Sequence, residues 1–461
     1  MTARHAAPSL GRRRVVLAAG LAAGAAGLGG SASAATLTSA SAAGSNNTGA
    51  EVPNPALCPP LPASADIHLI GNAFPAIQHL ARMAEGCTQP GVKVHFKLTP
   101  QARTETEQAF ASAGRSPFDA AVVSMGVFSS LYSRRQLQPM TDLVRKFGPL
   151  YRLEERMLVR VDGEVMALAF MQNTQNLYYR RDLFERHRLA VPTTYAEMVQ
   201  AAATLKVREP LIRFPIAQGF AKGFDSATEF ANLLASLGGR FFEPGSARPS
   251  FHGAAGVQAI DTMRTLLPHM TPNALASNAD DVMNQLQQGQ AAMGVLWASR
   301  AARMDDVLAS KVSGLIDFAA APAALAGGPS AAHLWWDGVV MPRLSAGRRE
   351  TVFQVLMQAL SEASVRQGNE LAIWVRSNFQ PGRFGAGVAL AQQAGAPVWP
   401  GEPFFSLAHT EIGKVLPEAL KGERSAQAAL ADAAAAYAQV AREKGFMASA
   451  SASTRPAKAP T

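Results

Sequence analysis

The chain has 461 residues, of which 48% are hydrophobic and 17% charged, and its formal net charge is +9. That length and composition place it among globular proteins able to bury two or more cores. Its arginines and lysines are scattered singly or in pairs rather than gathered into a stripe, which argues against a nucleic-acid surface.

The chain opens with Arg12, Arg13 and Arg14, a weakly apolar run from Val15 to Leu28, and then Ala32-Ser33-Ala34. A cationic start, a short apolar core and small residues at the end are the layout of an export signal removed near Ala34. The core is well short of the ~20 apolar residues that span a bilayer, and no later segment approaches that length. The arginine pair and the Ala/Gly-diluted core fit twin-arginine export, while Gly11, Val15 and Val16 leave a Sec route open. No cysteine lies near the cleavage point, so no lipid anchor is expected. Cleavage of residues 1–34 removes Arg4, Arg12, Arg13 and Arg14, which lowers the net charge from +9 to +5. The expected location is the periplasm.

Residues 35–62 are rich in Ala, Ser, Thr and Asn and then punctuated by proline, a composition that reads as a tether. Residues 446–461 read as a disordered tail. The two cysteines, Cys58 and Cys87, flank one predicted strand and one predicted helix. In an oxidising compartment they are expected to close a disulfide worth ~3.6 kcal/mol in chain-entropy terms, with two free thiols as the alternative.

Between tether and tail, short β-rich runs alternate with amphipathic helices, the pattern of an α/β architecture. Asp66 to Gly71, Val92 to Leu98 and Phe118 to Ser124 read as strands, and Ala73 to Glu85 as a helix. Such a β-α-β-α-β start forms a parallel sheet by right-handed crossover, with ligand sites at the carboxyl ends of its strands. Asn72, Ser124 and Met125 stand at those ends and are candidate ligand contacts; ordinary loop residues are the alternative. Glu164 to Phe170 reads as a further strand. It is followed by Gln172-Asn173-Thr174-Gln175-Asn176, five polar residues read as a hinge crossing that lines a cleft, before a strand from Leu177 to Arg180. Amides both donate and accept, which suits a hydroxyl-rich neutral ligand.

Three spaced segments resemble the extracellular solute-binding proteins of ABC importers, the group of maltose-like, oligosaccharide and polyol binders. The first is Leu177-Tyr178-Tyr179-Arg180-Arg181-Asp182-Leu183-Phe184-Glu185, running on to Pro192-Thr193-Thr194-Tyr195, where Thr194 can cap a helix to Lys206. The second is Leu286 to Trp297, with Gly289, Ala291, Ala292 and Met293 at a helix-to-strand turn. The third is Trp335-Trp336-Asp337-Gly338-Val339-Val340, followed by a helix from Arg348. Gly422 to Tyr437 is similar to the family's closing helix. The resemblance implies a two-lobed periplasmic-binding-protein fold of the type II kind, with crossing strands as hinge and a ligand cleft between lobes. Residues 63–170 with 337–385 would form lobe I, and residues 171–336 with 386–445 lobe II. It also implies a small-molecule solute, a carbohydrate or polyol, delivered to ABC permease subunits in the inner membrane by a monomer without a cofactor.

On that reading Trp297, Trp335 and Trp336 are the candidate aromatic walls, because a flat ring stacks on the C–H face of a sugar. Asp337, Gln172 and Asn173 would supply hydrogen bonds. Adjacent residues of a strand point to opposite sides, so one of Trp335 and Trp336 is expected in a core. Trp374, Trp399, Phe404 and Phe405 read as packing before recognition. An enzyme needs a nucleophile with its base, or a metal cluster, and none assembles; the carboxylate pairs Asp280-Asp281 and Asp305-Asp306 read as helix starts. The rival ligands are ferric iron, through Tyr178-Tyr179, and a polyamine, for which Asp337 is the one obvious acidic contact.

Overall fold

The computed structural model describes residues 64–111, 115–402 and 404–447, together with Cys58 and the backbone of Val15–Val16. The rest of the export signal, the tether apart from Cys58 and the tail from residue 448 lie outside the described residues. The first half of the chain runs β1 (Val15–Val16), β2 (Ala65–Gly71), α1 (Pro75–Glu85), β3 (Val92–Leu98), α2 (Ala102–Ala111), β4 (Ala120–Ser124), α3 (Met125–Ser133), α4 (Thr141–Phe147), β5 (Leu158–Val161), β6 (Glu164–Asn173), β7 (Gln175–Arg180), α5 (Arg181–His187) and α6 (Tyr195–Arg208). The second half runs β8 (Ile216–Ala217), α7 (Phe224–Ser236), α8 (Ala254–Leu266), α9 (Ala279–Gln287), β9 (Met293–Trp297), β10 (Ile316–Ala320), β11 (Trp335–Val340), α10 (Ala346–Ala359), α11 (Glu362–Gln367), β12 (Ile373–Trp374), α12 (Ala386–Gln393), α13 (Phe405–Lys421) and α14 (Ala426–Glu443).

The strands form two sheets. One has the order β1-β5-β6-β11-β4-β2-β3 with β12 also paired to β6, and the other the order β10-β7-β9-β8. In the first sheet β2 runs parallel to both β3 and β4, as the opening β-α-β-α-β pattern predicts, and so sends Asn72 and Ser124 out at one end. Edge strand β3 alternates buried Val92 and Val94 with exposed Lys93 and His95, which keeps its outer face hydrated. Strand β11 enters antiparallel between β6 and β4, setting Trp335 opposite Asn173, Trp336 opposite Gln172 and Asp337 opposite Ser124.

Three stretches of chain carry the backbone between the sheets. Strands β6 and β7 belong to different sheets, yet Thr174 alone separates them. The polar run read as a hinge crossing does lie between the sheets and is mostly strand: Gln172 and Asn173 end β6, while Gln175 and Asn176 begin β7. Residues 321–334 return from β10 to β11, and residues 375–385 lead from β12 to α12, which packs on β7 and β10. Helix α13 packs against α7, α8 and α14, so the C-terminal helices lie with the second sheet. The result is the two-lobed α/β architecture that the resemblance implied.

Local signals place the helices. Thr194 Oγ1 accepts from the Glu197 amide at 3.2 Å while Glu197 reaches back to the Thr194 amide at 3.1 Å, a capping box that starts α6 where the sequence put it. Asn278 and Asp281 make the same reciprocal pair at α9. Asp305-Asp306 is a correction, since Asp305 ends a 3₁₀ segment that begins at Ala298 rather than starting a helix. Asp305 is instead bonded to Arg383 and, at 2.8 Å, to the Gly314 amide.

Cys58 and Cys87 are joined in a disulfide that ties the chain before β2 to the residue beyond α1, closing a separation of 29 residues. Cys87 is buried in the core beside α1, so the bond ties Cys58 to the lobe that holds β2. Replacing both cysteines by serine is expected to lower the unfolding free energy by ~3.6 kcal/mol, read as an earlier denaturant midpoint, with a steeper slope because the unfolded chain is no longer cross-linked.

Candidate functional site

The site forms where the crossings meet the carboxyl ends of β2, β4 and β9. Trp297 ends β9, and its half-buried indole stands edge-on to that of Trp335, with ring centres 5.4 Å apart. Trp335 lies flat against Trp399 at 3.8 Å, and Phe224 tilts against it at 6.2 Å from the start of α7. Two of the three expected tryptophans thus meet, one from the end of β9 in the second sheet and one from β11 in the first. Trp335 is 8% exposed and Trp399 3%, while Phe224 is 47% exposed and forms the open rim of the cluster. Such rings offer apolar area with fixed orientation, and edge-to-face pairing is the geometry their quadrupoles favour.

Trp336 takes the opposite side of β11. Its ring packs on Phe128 of α3 at 5.3 Å, and its buried Nε1 finds no acceptor among the described residues. Met125 is likewise a core side chain, 2% exposed, because the first turn of α3 points it inward; it does not reach the cleft. Trp374 donates Nε1 to the Gly368 carbonyl and packs between His79 and Phe170. Phe405 is buried against Phe241 and Trp399, and half-buried Phe404 packs on Phe242.

The polar candidates divide in the same way. Asn173 is engaged across the junction: Nδ2 donates to Ser299 Oγ at 3.2 Å, and Oδ1 accepts from the amides of Thr174 and Ser299. Gln172 is half-buried and Asn72 exposed, its Oδ1 accepting from the Ala73 amide. Ser124 is half-buried opposite Asp337. Asp337 is half-buried, and its carboxyl has no hydrogen-bond or ion-pair partner among the described residues; loss of water alone pushes its pKa up to about 7. Tyr178, weighed for iron, is fully buried and donates its hydroxyl to the Trp297 carbonyl at 2.6 Å.

Beneath the aromatic wall lies a buried polar layer that sequence reasoning missed. Glu229 of α7 accepts from Gln175 and Gln218, and burial pushes its pKa up to about 8 despite those two bonds. Asp225, one turn earlier, is pushed up to about 6 by burial. His333 and His409 are held neutral by burial, down to about 3. Phe224 and Ser299 were also missed; Gly223 before α7, at φ 99°, was the one local sign of an unusual helix entry that presents its first side chain outward.

Fold and site together define a two-lobed binding protein of the periplasmic kind. A family model for bacterial extracellular solute-binding proteins matches residues 76–343, more than half of the chain, and the protein belongs to that family. Among solved structures, the chain is similar to a solute-binding protein from Agrobacterium radiobacter K84 in complex with ribitol (TM-score 0.70, 18% identity, 82% of this chain and 99% of that one). It is also similar to maltose-bound MalE3 of T. maritima (0.69, 18%, 81% and 99%). A third is a solute-binding protein from Agrobacterium vitis S4 with bound D-mannitol (0.68, 17%, 82% and 99%). A curated relative, named a probable amino-acid ABC transporter periplasmic-binding protein of Sinorhizobium fredii, is 24% identical over 167 residues, which is 35% of this chain and 37% of that protein.

The raised carboxyl pKa values fix the sign of a pH effect. Asp225, Glu229 and Asp337 hold their protons in the fold at pH values where the unfolded chain has lost them, so their burial costs least in acid. Stability is expected to fall as pH rises from the ordinary carboxylate range toward about 8, by up to roughly 1.4 kcal/mol per pH unit for each group still protonated. Asp337→Asn should raise the melting temperature at pH 8 more than at pH 5; an equal change at both would remove Asp337 from the effect.

Proposed function

We propose that this protein is the periplasmic substrate-binding component of an ABC importer that traps a neutral carbohydrate or polyol between its lobes and delivers it to a membrane permease. The observation that carries this reading is the contact of Trp297 with Trp335 at the junction of the two sheets, rimmed by exposed Phe224. Aromatic faces of that kind take the C–H face of a sugar or polyol, and Asp337, Gln172, Asn72 and Ser124 lie at the strand ends that would take its hydroxyls. The bodies that close would be the lobes built on the two sheets, close to the expected residues 63–170 with 337–385 and 171–336 with 386–445 but with β6 to Asn173 and β11 from Trp335 kept in the first lobe, and with Thr174 and the other crossings as pivot. Export with cleavage near Ala34 would bring the monomer to the periplasm. Ribitol, maltose and D-mannitol in the related structures support the ligand class.

A thermal-shift panel tests it, using ribitol, D-mannitol, maltose, single amino acids, spermidine and ferric citrate. A sugar or polyol at 100 times its Kd should add about 2.7 kcal/mol of stability and raise Tm by several degrees. A shift with an amino acid, spermidine or iron and none with any carbohydrate would replace the ligand class. Trp297→Ala should weaken the bound sugar by roughly tenfold or more at little cost in Tm, since its indole is half-buried. Solution scattering should show a smaller radius at saturating ligand; an unchanged radius would count against closure.

A further inference from the structure

Helix α7 holds two of the three crossings through one pair of side chains. Glu229 and Asn232 are three residues apart, share a helix face and are buried. Asn232 Nδ2 donates to Gln175 Oε1, in the first residue of β7, and Asn232 Oδ1 lies 2.7 Å from Nδ1 of His333, two residues before Trp335. Because the amide nitrogen is already spent on Gln175, Oδ1 is the acceptor and His333 Nδ1 carries the hydrogen. Glu229 Oε1 then accepts from Gln175 Nε2 at 2.7 Å and Oε2 from Gln218 Nε2 at 2.6 Å. Gln218 Nε2 is also 3.1 Å from the Tyr195 hydroxyl on α6.

Every donor in this chain points toward Glu229, an arrangement suited to its ionised form. Gln218 Oε1, meanwhile, is buried with no partner among the described residues. A protonated Glu229 must itself donate, and half a turn of the Gln218 carboxamide would bring Oε1 to the place where Nε2 now meets Oε2. The same turned oxygen could accept from the Tyr195 hydroxyl. The two protonation states of Glu229 therefore call for opposite settings of Gln218. The other titratable groups around it are Asp225 on α7, Tyr195 on α6, His333 on the second crossing and His409 on α13, whose Nε2 is 3.3 Å from Thr228 Oγ1. Asp280 and Asp281 at the start of α9 act on Asp225, and Arg300 is paired to Asp280 at 2.9 Å. No cationic side chain pairs with Glu229 among the described residues.

We propose that Glu229 is a positioning residue of the hinge whose proton is linked to lobe closure. With the proton off, Glu229 accepts from Gln175 and Gln218 and, with Asn232, clamps Gln175 and His333 and so holds both crossings; with it on, Glu229 must donate, Gln218 turns and the clamp slackens, and solute capture weakens as the surroundings become acidic. The solute part rests on the binding function proposed above. The clamp itself does not.

The test is a pH titration of the ligand-free full-length protein, following tryptophan emission and the infrared carbonyl band of protonated carboxyls. His333 stands edge-on to Trp399 at 5.0 Å, so a change at the crossing reaches the emitting cluster. In the wild type the emission change is expected to share a midpoint near pH 8 with the last component of carbonyl-band loss; in Glu229→Gln the emission change and that component should vanish, leaving the losses near pH 6 and 7 that belong to Asp225 and Asp337. An emission change that persists in Glu229→Gln, or a wild type flat in both signals near pH 8, overturns the clamp. Should that variant fail to fold, Gln218→Met decides, because losing a hydrogen bond to the ionised form must move the wild-type midpoint upward, and an unmoved midpoint overturns the proposal. For whichever of ribitol, D-mannitol and maltose binds, affinity should rise roughly tenfold between pH 7 and pH 9 in the wild type and stay flat in Glu229→Gln. If none binds at either pH the carbohydrate reading fails, while the emission titration still decides the clamp.

Discussion

The backbone at Thr174 is the constraint on which the rest depends. A strand that leaves one sheet and enters another with a single intervening residue gives the lobes no slack: the direction of β6 and that of β7 are coupled through two peptide bonds. Short connections of this sort transmit orientation, because rotation must be absorbed by a few backbone dihedrals. Thr174 is fully buried, and its carbonyl is taken by the Ala298 amide at 2.8 Å. The residue after β9 is thereby pinned to the pivot, and Trp297, one residue earlier, is pinned with it. Placement of the aromatic wall is a consequence of how the crossing is hydrogen-bonded.

A junction with so little chain has to bury polar groups, and amides are suited to that because each can donate and accept. Asn232 donates to Gln175, and Gln175 and Gln218 both donate to Glu229, without a net pair of opposite charges. Fully connected polar layers specify one arrangement more sharply than apolar packing does, and a single unsatisfied member makes them sensitive. The orphan oxygen of Gln218 is that member. Stability and responsiveness therefore have one source here: the bonds that fix both crossings converge on a carboxyl whose proton is poorly held in place by charge and strongly held by burial.

Much of this fold was legible from local chemistry. The run Val92 to Leu98 gave β3, Thr194 gave the start of α6, and the Trp335-Trp336 pair split between two faces as strand geometry requires. The two-lobed arrangement came from the resemblance, since no periodicity reveals which strands share a sheet. What stayed hidden was contact between residues remote in sequence. Gln172 to Asn176 reads as a crossing without showing that four of its residues pair as strand, because strand ends at a junction are polar, and Glu229 looks like the exposed face of an amphipathic helix because its partners lie 11 and 54 positions away. Trp399 reads as packing, which it is; only its stacking on Trp335 brings it to the site.

That double role explains how a nearly buried ring can also serve as a wall. Trp335 is held by Trp399 on one side and met edge-on by Trp297, so its orientation is set before any solute arrives. A side chain already immobilised loses no rotamer freedom on binding, a saving of about 0.5–1.5 kcal/mol for each ring that would otherwise be mobile. The exposed ring, Phe224, is tied to the same cluster through Trp335 and His409, so the rim moves with α7. Since α7 also carries Glu229 and Asn232, the helix that presents an aromatic face to the cleft is the one that grips the crossings. On the proposed function, a guest against Phe224 and Trp335 would press on the same helix that bonds Gln175 and His333, which is what coupling between binding and closure requires.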